Sequence, residues 1–501
     1  MKKIIKFFTI LLIIILVSTP VLPSCKSYQP KISYIGYGGQ GTISGSMHCL
    51  KIDKNIYMID SGIFYGDEGD NYKLPADINL KNLRAVFITH AHEDHIGRLP
   101  LLIENGYSGP IYMTGVTYDL LKIMLQSSLK YLKFNISEED LLKKLKQQVK
   151  IVSYNTPFYV GGEIAGFFNK FNIFNKLYPY IVKNRIKVEF LYTSHIPGSA
   201  MIIFNVNGKD ILFSGDIGSD NNPFLMKNKQ FEGNIDYLFV EGTYGTKGDN
   251  SNNLLERENF QKIIGKNLEK GFRVIIPAFV LDRTQQVLYE IKQGMDNNFI
   301  QDNTTVKVYS PTSFKITEKY RHYLFHDEAY KSFFSEKIIN DFFDIQNLLY
   351  NPKNDEGSYD LNIEYGEIAV MSSGMMSHAF SKELIDKYIE DPKTFIVIVG
   401  YQAEGTLGAD ILQALENGCE YVFVDGEKKI LNPDNFYRSY AFNSHADINQ
   451  IINIFKNTLP NKIFLVHLNK EEAQNLKNKY KEFFINSDIV VPEYGKKYVL
   501  E

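Results

Sequence analysis

Through the first half of the chain, apolar and polar positions follow the spacing of short strands. Leu83-Arg84-Ala85-Val86-Phe87-Ile88-Thr89 is a mostly apolar run of strand length, and Ile96 to Ile103 has the spacing of a helix start. The polar residues between them, His90 to His95, are therefore predicted on a strand-to-helix turn. From Ile32 to Asp60 the pattern is β-rich, and Ile56 to Gly62 reads as a strand ending in the carboxylate of Asp60. The glycine-dense Gly36-Tyr37-Gly38-Gly39-Gln40-Gly41 reads as a turn, because neither a Lys-Ser/Thr pair nor a helix follows it as a phosphate loop requires. Ser137-Glu138-Glu139-Asp140 opens a helix that runs to about Gln148. From about Ser251 to Asp425 helices (252–269, 283–293) alternate with strands (274–276, 306–309, 368–371, 394–399), which predicts a parallel α/β layer. Asn351 to Tyr359 is polar and reads as a surface loop.

Composition adds bounds. A chain of 501 residues exceeds one ordinary core and implies two domains with additions. Hydrophobic residues make up 44% and charged residues 23%, as in globular proteins, and the net charge of −3 provides no global basic field. A polyanionic substrate would need a local groove and bound cations. Cys25, Cys49 and Cys419 are the only cysteines, which excludes a disulfide framework and a Cys-based zinc finger.

Met1-Lys2-Lys3 with Lys6, the apolar run Phe7 to Val17 and then Ser18-Thr19-Pro20 read as a secretory signal over residues 1–24, since the run is too short to span a membrane comfortably. Leu22-Pro23-Ser24-Cys25 resembles a bacterial lipoprotein processing box. That implies an exported protein, either anchored to a membrane through lipid on Cys25 or periplasmic or extracellular. Residues 158–182 crowd Phe158, Phe167, Phe168, Phe171, Phe174, Tyr178 and Tyr180 together. Buried packing or a lid over the active site is one reading, and a lipid-facing patch is the other.

The chemistry is concentrated in His90-Ala91-His92-Glu93-Asp94-His95. On extended backbone His90 and His92 project to one side, while Asp94 and His95 on the turn can face a second point, so one segment can feed two metal ions. Imidazole and carboxylate without thiolate suit Zn²⁺, with Mn²⁺ or Fe as alternatives. Further ligands stand in similar settings: His195 where a strand meets Ile196-Pro197-Gly198, and Asp216 at the end of the strand Ile211 to Ser214.

Together with Asp60, these segments resemble the metallo-β-lactamase superfamily. Val240-Glu241-Gly242-Thr243-Tyr244-Gly245, Ser444-His445-Ala446-Asp447 and Phe464-Leu465-Val466-His467 are similar to motifs A, B and C of its β-CASP nucleases, especially those like the cleavage and polyadenylation specificity factor ribonuclease. Supporting stretches are Ile276-Pro277-Ala278-Phe279 with Arg283, Ser372-Ser373-Gly374-Met375-Met376 and Gly400 to Leu407. Ser194, where the family commonly has Gly, and His378 depart from the pattern. The resemblance implies an α/β fold: a four-layer αββα core in two parts, 31–250 and 426–501, with a β-CASP domain inserted at 251–425. It further implies that His90, His92 and His195 hold one zinc, Asp94, His95 and His467 the other, and that Asp216 bridges them. Of the remaining histidines, His378 is expected at the surface or a pocket rim, and His48, His322 and His326 in ordinary structural or exposed roles.

A water shared by two such cations can become the hydroxide that attacks phosphorus, with Asp94 among the catalytic residues as a ligand. His445, oriented by Glu241, is the candidate acid for the leaving oxygen, and Asp60 would hold ligands in place. Ser373, backbone amides around Gly374, and Arg283 are candidate phosphate contacts. An imidazole in motif C goes with RNA-cleaving relatives, so single-stranded RNA is the expected substrate, cut internally or from an end. An exported hydrolase of a small ester, thioester or lactam is the alternative, and a surface binding protein a third reading. The sequence leaves a homodimer open.

Overall fold

The computed structural model describes residues 29–66, 70–161, 186–246, 253–335, 343–442 and 444–501. The leader at 1–24, with Cys25, and most of the aromatic segment lie outside them. Two seven-stranded sheets form the core. One runs in the order Lys497–Leu500, Ile32–Gly36, His48–Ile52, Asn55–Ile59, Leu83–Phe87, Ile111–Met113 and Val149–Ile151. The other runs Asp488–Val490, Lys462–Val466, Tyr237–Glu241, Lys209–Phe213, Ala200–Val206, Ile186–Tyr192 and Phe158–Val160. The last residues thus add an edge strand to the first sheet, Ile32 opposite Leu500.

The inner faces meet in an aromatic-rich core of Tyr34, Phe87, Phe190, Phe204, Phe213, Phe239 and Phe464. Phe213, Phe239 and Phe464 occupy adjacent parallel strands and stack at centroid distances of 4.3 and 4.5 Å. Each outer face is covered by helices. Leu99–Glu104, Gly115–Ser128 and Glu138–Gln148 bury Leu99, Leu121 and Leu141 on the first sheet. Ile448–Phe455 and Lys470–Phe483 bury Ile452 and Leu476 on the second. The result is the expected four-layer αββα sandwich.

The inserted domain has a six-stranded sheet in the order Leu348–Tyr350, Val306–Tyr309, Ile368–Met371, Arg273–Pro277, Thr394–Ile398 and Phe436–Arg438. Its pairings are all parallel. Helices cover both faces, so the strands read as continuous apolar runs such as Thr394–Ile398. The expected boundary at 425 falls inside the hairpin formed by Tyr421–Val424 and Glu427–Ile430, and the chain stays with the inserted sheet through Arg438. Phe436-Tyr437-Arg438 is too short to carry a periodic signal, which is why the sequence placed the return too early.

Two local differences bear on the site. The predicted helix after the histidine cluster begins inside it: Glu93–Ile96 is a short helix of its own, with Asp94 and His95 on its turn and His92 just before it on extended backbone. The aromatic segment is rooted away from the ligands. Val160 pairs with Ile186, and Ile186 lies opposite Val206, at the far end of a strand whose other end leads to His195. At about 3.3 Å per residue that strand separates the two ends by roughly 20 Å, and the lid and lipid-facing readings fall on residues 162–185, outside the described residues.

Candidate metal centre

Every ligand candidate lies just past the C-terminal end of a strand or on the turn that follows one. Strand Leu83–Phe87 leads to His90 and His92, Lys209–Phe213 to Asp216, Tyr237–Glu241 ends in Glu241, and Lys462–Val466 leads to His467. These strands run parallel within their sheets, so their ends converge at one edge of the sandwich. Asp60 and His467 adopt left-handed backbone, with φ of 60° and 52°. For residues other than glycine this costs about 1–3 kcal/mol each and persists only where the surroundings enforce it. The His467 N–H donates to Gly39 O at 2.6 Å, so the glycine-dense turn is part of that enforcement. Two glycines permit the close approach of the loops. A Cβ on Gly62 would lie 1.5 Å from Asp94 O, and one on Gly218 2.0 Å from Ser194 O.

The first ligand group comprises His90, His92, His195 and Asp216. His92 Nδ1 is 3.1 Å from His90 Nε2 and 3.0 Å from His195 Nε2, and Asp216 Oδ2 is 3.6 Å from both of those Nε2 atoms. Nitrogens at about 2.05 Å from a tetrahedral ion stand about 3.3 Å apart, so this spacing fits a shared cation. The second group comprises Asp94, His95 and His467, with His467 Nε2 3.3 Å from Asp94 Oδ2. Asp216 joins the groups: its Oδ1 lies 3.3 Å from His95 Nε2. Those two buried atoms have no hydrogen-bond partner, which a cation between them would supply. The donor set therefore fits two divalent metal ions.

The outer nitrogens are fixed as metal ligands require. His95 Nδ1 faces Asp60 Oδ2 at 2.7 Å, and Asp60 also accepts the Thr89 N–H and hydroxyl, each at 2.8 Å. His195 Nδ1 faces Ser444 O at 3.2 Å. His467 Nδ1 lies 2.9 Å from the Thr243 hydroxyl, which donates onward to Glu241. Burial holds the His90 and His195 imidazoles well below their usual pKa and brings His92 to about 4, so all three are neutral and able to coordinate. His95 moves the other way. Burial disfavours its charge, but the Asp216, Asp60 and Asp94 carboxylates outweigh it and raise the pKa well above the usual value. A proton there offsets negative charge that a metal ion would otherwise balance.

His445 stands beside these groups with its Nδ1 3.0 and 3.1 Å from the two oxygens of Glu241. Burial lowers its pKa, but Glu241, then Asp216 and Asp94, outweigh burial and raise it to about 9. Asp447 explains why the motif ends in a carboxylate: its Oδ1 accepts the N–H groups of Asn449 and Gln450 and caps helix Ile448–Phe455, fixing the turn that carries His445. Tyr244 packs its ring on His445 at 5.4 Å.

Arg283, expected at phosphate, donates to Val399 O and, at 2.9 Å, to Ser444 Oγ, so much of its guanidinium holds the loop preceding His445. Gly374 packs tightly against Phe279, where a Cβ would lie 2.8 Å from the backbone N. Ser373 Oγ has only long contacts, 3.5 Å to His378 O and 3.4 Å to Ser381 Oγ. His378 is exposed and packs on Tyr131 of the core at 5.3 Å, consistent with a rim position. Tyr131 and Ser128 donate to Glu93, so the inserted domain meets the core directly beside the ligand turn. Ser194, the departure from glycine, is held by Asn228: its N–H donates to Asn228 Oδ1 at 2.9 Å, and Asn228 Nδ2 donates to its hydroxyl at 2.7 Å. His48 is buried between Tyr34 and Ser46, and His322 and His326 are exposed. Sequence reasoning missed Thr89, Thr243 and Asn228, since a lone hydroxyl or amide has no spacing signature. Thr243 alone had a signal, two residues after Glu241.

Comparison with known proteins agrees with this geometry. The metallo-β-lactamase superfamily model matches residues 48–270, and the β-CASP domain model matches residues 284–411. The chain has a metallo-β-lactamase fold with an inserted β-CASP domain. It is 26% identical over 385 residues to a ribonuclease of Thermus thermophilus, covering 75% of this chain and 81% of that protein. An RNase J-like protein of Methanocaldococcus jannaschii is 27% identical over 430 residues, 84% of this chain and 89% of its own length. Cleavage and polyadenylation specificity factor 73 of Drosophila melanogaster is 27% identical over 470 residues; 91% of this chain is matched, but only 62% of that factor. A crystal structure of a protein of unknown function from Enterococcus faecalis covers 94% of the chain with a TM-score of 0.52 and 14% identity, which speaks to fold alone. With both candidate ligand groups in place, this protein of metallo-β-lactamase/β-CASP fold is a metal-dependent hydrolase.

Proposed function

We propose that the protein is a ribonuclease that cleaves single-stranded RNA with two Zn²⁺ ions, Mn²⁺ being the alternative. The observation that carries the reading is the His445–Glu241 pair, set against both ligand groups where Arg283 of the inserted domain meets Ser444 of the core. His90, His92 and His195 would hold one ion, Asp94, His95 and His467 the other, with Asp216 shared. When bound, two such ions lower the pKa of water toward neutrality and offset the charge that develops on phosphate oxygens. Glu241 accepts from Nδ1 of His445 and keeps a proton on Nε2, where it can pass to the leaving oxygen. Asp60 and Thr243 fix the rings of His95 and His467. Ser373 and the Gly374 backbone offer contacts for a neighbouring phosphate, and Arg283 acts chiefly by holding Ser444.

The ribonuclease relatives and the imidazole of His467 favour RNA over DNA. Incubating metal-loaded protein with labelled single-stranded RNA, the DNA equivalent and a β-lactam reporter tests the reading. RNA cleavage that Asp94→Ala abolishes is expected; turnover of the β-lactam with no RNA cleavage would overturn it. The leader supports export, with lipid on Cys25. Labelling with a palmitate analogue should fail in Cys25→Ser, and labelling that persists would remove the lipoprotein assignment.

A further inference from the structure

The end of the core opposite the ligands has a chemistry of its own. Strands Lys209–Phe213, Tyr237–Glu241 and Lys462–Val466 run toward the ligand edge, so the residues before them, Asn207, Asp236 and Asn461, mark a base on the other side. At this base Leu459 is 82% exposed, Ile485 71% and Phe483 52%. The segments that bear them, the loop before Lys462 and the end of helix Lys470–Phe483 with the turn after it, are tied together: Ser487 Oγ donates to Pro460 O at 2.6 Å, and Asp488 N to Asn461 O at 3.0 Å. Three large apolar side chains grouped this way normally seek a partner.

Chain topology indicates which partner. The described chain begins at the same base, where Gln29 accepts from Asn207 and the Lys31 N–H donates to Asp53 Oδ1 at 3.1 Å. The residues just before Gln29 include Cys25, the candidate point of lipid attachment. The chain also leaves after Gly161 and returns at Ile186 on this base, and the sequence between those points carries Phe167, Phe168, Phe171, Phe174, Tyr178 and Tyr180. We propose that the base formed by Leu459, Phe483 and Ile485 rests on a lipid bilayer, with the ligand edge and the mouth of the site turned away from it. Exposed charges at the base are mixed, Lys456 and Lys481 against Glu482 and Asp488. Apolar insertion rather than attraction to anionic headgroups therefore supplies the contact, and binding should depend weakly on salt.

The inference is independent of the ribonuclease reading. It can be tested in the full chain carrying Cys25→Ser and Cys419→Ser, with a polarity-sensitive dye on Ile485→Cys at the base or on Phe423→Cys in the inserted hairpin. Cys49 is buried and stays unlabelled. Vesicles of phosphatidylethanolamine and phosphatidylglycerol in equal amounts, with brominated acyl chains, should quench the label at 485 by about half and leave the label at 423 unchanged. Leu459→Glu should weaken vesicle binding about tenfold, as expected for loss of one large apolar contact. Bound protein with neither label quenched would mean attachment through the leader alone and overturn the proposal. So would equal quenching at both positions, no vesicle binding, or a label at 485 already in apolar surroundings without lipid, which would show that another part of the chain or a second copy covers the base.

Discussion

The two ligand groups share Asp216 but are assembled differently. His90, His92 and His195 all come from the first two-fifths of the chain, and burial, helped by the neighbouring imidazoles, keeps their rings neutral. The second group pairs Asp94 and His95 with His467, which lies 373 residues from Asp94 and arrives only after the inserted domain is complete. Its residues also need more support: Asp60 and Thr89 behind His95, Thr243 and Glu241 behind His467, and the Gly39 carbonyl holding a left-handed backbone. The first group takes its residues from both sheets but from the chain before the inserted domain, with only the Ser444 carbonyl behind His195 coming from beyond it, whereas the second reports whether the whole chain has folded.

The harshest test of that contrast is the residue common to both groups. Asp216→Ala should lose both ions and lower cleavage by about 10³-fold or more, read from metal content and single-turnover rate. A variant that kept two ions would remove Asp216 from the bridge. Separating chemistry from metal comes next. His445→Ala should keep both ions yet lose about 10²–10⁴-fold in rate, while His92→Ala should lose the ion of the first group. An unchanged rate in His445→Ala would refute its role as the acid.

Glu241→Gln sharpens the link between the groups through pH. His445 is raised to about 9 with Glu241 as the principal raising influence, so the acid form is present below that pKa and activity falls as pH rises through it. Removing the carboxylate lowers the pKa, and the alkaline limb of the rate profile should move to lower pH. A limb that stays in place would separate Glu241 from His445. Asp60→Asn should act mainly on the second group, weakening metal there by about 10–100-fold and leaving the first occupied. The smallest effect is expected from Ser194→Gly, which removes one hydroxyl from the Asn228 contacts and should cost about 1 kcal/mol in thermal unfolding with little change in metal content.

Much of this site was legible in the chain because its ligands stand at strand ends, where an apolar run followed by His or Asp is visible without an alignment. The cluster at 90–95, His195 and Asp216 belong to that class. His445 and His467 were reached through motif resemblance, since an isolated imidazole far along the chain has no local signal. Arg283 shows the opposite case. Its charge and motif setting suggested phosphate, but folding brings Val399 O and Ser444 within its reach. The return at Arg438 was equally hidden, because a three-residue edge strand is defined by the neighbour it pairs with.

By itself, then, the sequence determined the residue types, the strand-end positions of the first ligands, and the alternation that makes the inserted domain a parallel layer. Those are local properties, set by spacing and side-chain chemistry. Only the tertiary structure decided that Asp216 Oδ1 and His95 Nε2 face each other without hydrogen-bond partners, that Glu241 serves His445 directly and His467 through Thr243, and that Gly161, Ile186 and Gln29 share one end of the core. Each of these depends on which strands lie side by side and in which direction they run, and that is fixed by packing two sheets around a common core.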